Sequence, residues 1–131
     1  MHRVTDVMQV LKSKVFRRFQ RKEGIQDTAQ CEAVARAEHG LIDASLGQGL
    51  IKQRIARDGG GRSGGFRTVI ALRSNARAVF IFGFAKSARD NISSQDRRDL
   101  ANTGAMLLAL NAQGIETPID AGELWQVDCD G

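Results

Sequence analysis

The sequence predicts an α+β fold: helices at the start, an antiparallel sheet of about four or five strands in the middle, and a helix after it. Three observations carry that reading. Apolar residues recur at helical spacing within the first 40 positions. Two stretches after Gly49 alternate between apolar and polar side chains. Residues 78–84, A-V-F-I-F-G-F, are apolar throughout, as a central strand covered on both faces must be. With 131 residues, 42% of them apolar and 26% charged, the chain is long enough to bury a core and is expected to form one domain over residues 1–131.

Residues 4–22 admit two readings. Val4, Val7, Met8, Leu11, Val15, Phe16 and Phe19 fit one amphipathic helix, but residues 8–11 also fit a short strand, with Ser13 capping a helix that starts at Lys14. Gly24 ends the segment either way. Asp27, with Gln30 three residues on, predicts the N-cap of an alanine-rich helix that Gly40 closes. Gly47 and Gly49 read as a loop. Residues 50–57 then alternate, with Ile51 and Ile55 on one face and Lys52 and Arg54 on the other. Residues 66–72 place Phe66, Thr68, Ile70 and Leu72 opposite Arg67, and Ser74-Asn75 is a hairpin turn. Ser93, with Asp96, opens the last long helix, whose buried face runs through Leu100, Gly104, Leu107 and Leu108. Pro118 interrupts the tail, and residues 124–127 read as an edge strand.

Composition excludes several classes. No apolar run approaches the ~18 residues of a membrane span, and the first residues lack the apolar core of a secretory signal. Cys31 and Cys129 are too few for a disulfide scaffold, which argues for a reducing cytoplasm. With His2 and His39 they show no metal-ligand spacing, so neither a metal nor any other cofactor is expected. The net charge of +4 conceals four blocks: +6 over residues 1–22, −4 over 23–51, +8 over 52–98 and −6 over 99–131, where no Lys or Arg occurs. Basic surfaces of this kind meet polyanions, usually RNA or DNA, although solvation alone also explains surface lysine and arginine.

Two constellations stand out. Residues 58–65, D-G-G-G-R-S-G-G, hold five glycines in eight positions, flanked by Arg57 and Arg67 and containing Arg62. Glycines admit phosphate oxygens to backbone amides, and guanidiniums bind those oxygens bidentately. The spacing is neither a Walker loop nor a dinucleotide fingerprint, and a hairpin connection explains the glycines equally well. The second is residues 83–91, G-F-A-K-S-A-R-D-N, where Lys86, Arg89 and Asn91 follow the most apolar strand.

The run I-A-R-D-G-G-G-R-S-G-G-F-R-T-V-I-A-L, followed after a hairpin by A-V-F-I-F-G-F-A-K-S-A-R-D-N-I-S, resembles the RelE/HigB-type toxins of bacterial type II toxin–antitoxin pairs. More narrowly, it resembles the branch carrying G-x-G-K-S-G-G-[FY]-R and F-A-K-x-x-R-x-N-I. The likeness covers about residues 10–110. It implies a RelE-like fold, a compact sheet with helices packed on one face, two N-terminal helices among them, and a C-terminal helix. It also favours strand followed by helix for residues 8–22. It implies a ribonuclease that cuts mRNA in the ribosomal A site and is silenced by a cognate antitoxin, commonly a helix-turn-helix repressor, through which alone the pair binds operator DNA.

By motif, Arg67 corresponds to the arginine facing the scissile phosphate, and Lys86 and Arg89 to cations at the end of the last main strand. Arg62 stands where the branch has lysine, so it keeps charge but not a titrating base. The chain has no Tyr, and neither His lies in a matching segment. These residues suit attack of the ribose 2′-oxygen on the adjacent phosphate. Arg67 would stabilise the phosphorane and Lys86 would transfer the proton, while Arg62 and Arg89 position the phosphate. Lys52, Arg54 and Arg57 would grip mRNA or ribosome, and Asn91 a base or ribose. Without an ordinary acid–base pair, cleavage would depend on the ribosome to hold RNA ready for attack. A gyrase poison of the ParE kind, a non-catalytic nucleic-acid-binding module and a degenerate toxin remain as alternatives.

Overall fold

The computed structural model describes residues 8–56, 65–86 and 91–129. Arg57, Arg62 and Arg89 lie outside the described residues. Among the described residues the order is β1 (Gln9–Ser13), α1 (Lys14–Glu23), α2 (Asp27–Glu38), β2 (Ala44–Gly47), β3 (Leu50–Ile55), β4 (Phe66–Arg73), β5 (Arg77–Ala85), α3 (Ser94–Ala109), α4 (Glu116–Asp120) and β6 (Leu124–Gln126). The fold is α+β.

Residues 8–22 are therefore strand then helix. Ser13 makes the switch: its Oγ accepts from the Phe16 N–H at 3.1 Å, satisfying an amide that the first turn leaves open. Gly24, at φ +71°, closes α1 in the left-handed conformation that favours glycine.

The expected cap of α2 is different. Gln26 is the N-cap and Asp27 the first helical residue. The Asp27 carboxylate is engaged elsewhere, accepting from Lys12 Nζ (3.0 Å), Gln20 Nε2 (2.9 Å) and the Asp128 N–H (3.1 Å).

The sheet has six strands in the order β2-β3-β4-β5-β1-β6, more than expected. It is mixed, because β1 runs parallel to β5 and only the other neighbours are antiparallel. Gly47 and Gly49 do not mark a loop alone. With Gln48 they turn through three consecutive positive φ angles, +86°, +55° and +78°, which lets residues 44–47 fold back on β3 as an edge strand.

Helices cover both faces, not one. On the first face α1 and α2 bury Phe16, Ile25, Ala33, Val34 and Ala37 against Val10, Ile51, Ile55, Phe66, Ile70, Ala78 and Phe80. On the second, α3 lays Leu107 against Leu50, Val69, Ala71, Val79 and Ile81. Gly104 is the close approach: a Cβ there would stand 2.9 Å from the Ala71 side chain.

Two buried cations hold the layers together. Lys12, 8% exposed, joins β1 to α1 and α2 through Gln20 Oε1 (2.7 Å) and Asp27. Arg77, 5% exposed, donates from Nη1 to the carbonyls of Leu107 and Leu110, each at 2.7 Å, and from Nε to Gln9 Oε1 at 2.8 Å. It thus satisfies carbonyls that the end of α3 leaves open and places positive charge at that helix's negative pole.

The cysteines, whose number argued for a reducing compartment, are bonded to each other. The Cys31–Cys129 disulfide ties α2 to the tail beyond β6 across a sequence separation of 98.

Burial, the largest single influence on the Asp27 carboxyl, works to raise its pKa. The Asp128 amide, Lys12 and Gln20 together outweigh it and hold the pKa below the ordinary value. The stability this contributes is complete above the unfolded carboxyl's pKa of about 3.9 and lost as pH falls through the lower folded value. Thermal unfolding between pH 7 and pH 2 is expected to show the midpoint falling below about pH 4, and Asp27→Asn should flatten that fall.

The disulfide makes a separate prediction. Closing a loop of ~100 residues stabilises by up to about 4–5 kcal/mol in the chain-entropy picture. Dithiothreitol, or Cys31→Ser, should lower the Tm by roughly 10–20 °C, with folding retained because β6 and the Asp128–Asp27 bond still hold the tail.

Candidate functional site

The basic residues singled out on β3 and β4 share the second face of the sheet, beyond the region covered by Leu107. Alternation on β3 puts Lys52 and Arg54 opposite to Ile51, Gln53 and Ile55. Pairing then builds two rows across three strands. One row is Lys52, Val69 and Phe82; the next is Arg54, Arg67 and Phe84. Lys86 follows β5 directly, and its N–H donates to the Gly65 carbonyl at 3.3 Å. That bond extends the ladder one step, so Lys86 comes opposite Gly65, at the same end of the sheet as Arg67. Asn91, ahead of α3, reaches back to the first row: its Oδ1 accepts from Lys52 Nζ at 3.2 Å and from the Ile92 N–H at 2.9 Å.

The structure therefore brings together Lys52, Arg54, Arg67 and Asn91, with Lys86 at the adjoining strand end. It does not describe Arg57, Arg62 or Arg89. The surroundings of the two arginines differ. Arg54 is exposed on the outermost long strand, yet its backbone is clamped: Asp43 Oδ2 accepts its N–H at 2.7 Å, and Arg36 donates to its carbonyl. These side chains stand in for the edge strand, since β2 pairs only as far as Lys52. Arg67 is 6% exposed, so its side chain is already ordered, and a ligand reaching it would not bear that entropic cost.

Phe82 and Phe84 were not among the residues expected at the site. What brings them there is a shift in the β4–β5 ladder. Val69 pairs with Phe82 but Ile70 with Phe80, so β5 carries one extra residue, Ile81. A bulge re-aims everything beyond it. Phe82 and Phe84 turn to the second face, and Gly83 turns to the first. The rings stand 6.1 Å apart, centroid to centroid, and Phe82 is half-buried.

On the opposite face Gly83 lies under α1, where an added Cβ would come 2.5 Å from Phe19 Cδ2 and 3.0 Å from Phe16 Cε1. The sequence signal was Gly83 itself, since a glycine inside an apolar strand marks a bulge or a close backbone approach. Beside Phe82, the first turns of α3 add Asp96, Asp99 and Leu100, and the four line a recess of about 270 Å³.

The site is thus a basic sheet face with two phenylalanines beside it. The comparison with known families decides what kind of protein presents it: the model described as RelE toxin of the RelE/RelB toxin–antitoxin system matches residues 8–127. The chain belongs to the RelE toxin family. No curated protein matches it. As a RelE-type toxin of a toxin–antitoxin system, it implies a cognate antitoxin as partner. Among the described residues of this toxin, no helix is long and apolar enough to cross a membrane, and no group of three or more His, Cys, Asp or Glu is placed to hold a metal.

The bulge yields a prediction. Gly83→Ala forces Phe19 or the strand to move and is expected to cost about 1–3 kcal/mol, the usual penalty for overpacking. Phe19→Leu in the same chain should recover part of that loss. Urea unfolding of the single and double variants measures both.

Proposed function

We propose that this toxin is a ribosome-dependent endoribonuclease that cuts mRNA by metal-independent transfer of the phosphate to the 2′-oxygen. The observation that carries the reading is the register of Arg54 with Arg67, which brings two arginines to directly opposed positions on one sheet face. Cations gathered on one face attract an anion, and guanidiniums bind phosphate oxygens bidentately. Membership of the RelE family supports RNA as that anion, since its toxins are generally endoribonucleases.

In this reading Arg67 holds the equatorial oxygens as negative charge develops on the phosphorane, which an ordered arginine does without reorganising. Lys86, at the end of β5, serves the proton transfer that the 2′-hydroxyl or the leaving 5′-oxygen requires. Arg62 and Arg89 are assigned to phosphate positioning by motif resemblance. Lys52, Arg54 and Arg57 grip the RNA or ribosomal backbone. Asn91, tethered to Lys52, faces a base or ribose. The ribosome supplies the attack geometry that this set of cations lacks the means to impose alone.

Cleavage of translated mRNA places the toxin in the cytoplasm, where the Cys31–Cys129 bond meets reductant. A helix-turn-helix antitoxin would neutralise it and carry the pair to operator DNA.

Arg67→Ala is expected to lower the rate of cleavage on programmed ribosomes by about 10²–10³. Arg54→Ala should instead weaken RNA binding and reduce the dependence of log K on log salt by roughly 0.7–0.9. Growth arrest and mapped mRNA 5′ ends after induction report the first effect, with a thermal melt to verify folding. Arrest that survives Arg67→Ala, or arrest with an SOS response and intact mRNA, overturns the nuclease reading.

A further inference from the structure

The sequence carries two basic blocks, and the nuclease reading uses only the second. The first, +6 over residues 1–22, lies mostly on α1, K-V-F-R-R-F-Q-R-K-E, where five of ten residues are Lys or Arg. At 3.6 residues per turn, Lys14, Arg17, Arg18, Arg21 and Lys22 fall within roughly 140° of arc, opposite the buried Phe16. Phe16 and Phe19 face the sheet, so the cations face outward. Lys14, Arg18, Arg21 and Lys22 are exposed and line about 12 Å of helix at 1.5 Å per residue.

The fold itself makes little use of them. Lys12 and Arg77 have specific acceptors, but among the described residues no carboxylate pairs with any of these five. Arg17 lies 4.5 Å over the Trp125 ring. Glu23, the one acid of α1, stands three and four residues after Gln20 and Phe19, so it is no i,i+3 or i,i+4 partner to a cation. Lys14 is in the first turn, at the positive pole, where the helix dipole does not favour it.

Position matters as much as charge. α1 packs on the first face of the sheet, whereas Lys52, Arg54 and Arg67 lie on the second. The sheet and a helix of about 10–12 Å diameter separate the two basic surfaces. One nucleotide cannot touch both. The outer face of α1 is also unlike a protein interface: Val15, 52% exposed, is its one exposed apolar side chain, and lysine is depleted where proteins meet. Cations with no stacking or apolar group beside them suit phosphates, which fix position and carry no sequence information.

We propose that the outer face of α1 is a second RNA-binding surface, which grips the phosphate backbone of folded ribosomal RNA while the second face of the sheet holds mRNA. Folded RNA is recognised largely by shape and by backbone contacts of this kind. The choice of ribosomal RNA rests on the nuclease reading, since that reaction runs on the ribosome. The toxin is then oriented by one RNA and acts on another.

Co-sedimentation of the full chain with mRNA-free ribosomes over a range of potassium chloride concentrations tests this without cleavage. Arg18→Gln with Arg21→Gln removes two exposed charges and keeps good helix formers. This pair is expected to weaken ribosome binding and to lower the slope of log K against log salt by roughly 1.4–1.8. Arg18→Lys with Arg21→Lys should bind as wild type does. Arg73→Gln with Arg98→Gln removes the same charge from exposed positions elsewhere and should change binding little. On programmed ribosomes the α1 glutamine pair should raise KM and leave kcat unchanged, whereas Arg67→Ala lowers kcat.

Unchanged ribosome affinity and salt slope in the α1 glutamine pair, with a thermal melt like that of wild type, overturns the proposal. So do equal losses from the α1 and control pairs, because net charge alone then explains the binding. Loss of antitoxin binding with ribosome binding kept also overturns it, making α1 a protein contact. If Arg67→Ala leaves mRNA cleavage intact, the nuclease reading falls, while the ribosome-binding comparison still decides the role of α1.

Discussion

One extra residue in β5 decides what both faces of this sheet present. Ile81 is that residue, and its carbonyl is accounted for: the Ser13 hydroxyl donates to it at 3.1 Å, just past the last pair of the β1–β5 ladder, Lys12 with Phe80. The same oxygen atom of Ser13 accepts from the Phe16 amide and so starts α1. A single serine therefore ends a strand, caps a helix and satisfies the bulge. The consequences follow by alternation. Gly83 turns toward α1, whose Phe19 and Phe16 close over it, and Phe82 and Phe84 turn away toward the cations. Any residue larger than glycine at position 83 would set helix packing on one face against ring placement on the other.

The charged groups divide by the same physics. Lys12 and Arg77 are buried with their donors met by specific acceptors, a carboxylate and a glutamine for one, helix-end carbonyls and a glutamine for the other. Burial, and secondarily the nearby Arg73 charge, lower the Arg77 pKa, yet arginine stays charged at any physiological pH. Such cations hold layers together. Arg54 differs: its backbone is bound on both sides while its side chain is exposed.

Much of this was legible in the sequence. The alternation of residues 50–55 set Lys52 and Arg54 opposite Ile51 and Ile55, and that of residues 66–72 set Arg67 opposite Phe66 and Ile70, because a half-covered strand writes its two faces in a period of two; that the three share one face came only with the pairing. Ser93 read correctly as a cap, its hydroxyl accepting from the Asp96 amide. Asp27 did not, because a local capping pattern carries no information about Lys12, fifteen residues earlier, or Asp128 at the far end of the chain. β2 was missed since its four residues, A-S-L-G, have little strand character and depend on the reversal at residues 47–49. The parallel pairing of β1 with β5 was beyond periodicity altogether, which reports faces and not neighbours. Phe82 and Phe84 were hidden for a related reason. In a run as apolar as F-I-F-G-F every residue reads as core, and only the register shows that two of the rings lie on the same face as the cations.

The disulfide bears on how the tail and the site are joined. Cys129 lies just beyond β6, which pairs with β1, which pairs with the bulged β5. The tail therefore closes the same edge of the sheet that Ser13 organises. In a reducing compartment that edge still has the β1–β6 ladder, the Val127 N–H on the Val10 carbonyl at 2.9 Å, and the Arg17 guanidinium 4.5 Å over the Trp125 ring. These interactions are local to β1, α1 and β6, and none reaches β3 or β4. The cations of the second face are set instead by the β3–β4–β5 ladders and by Asp43 and Arg36 at the opposite edge. The other end of the Cys31–Cys129 bond lies on α2, whose Arg36 donates to the Arg54 carbonyl and whose Ala33 carbonyl accepts from Gln53, so the disulfide joins the tail to the helix that braces β3.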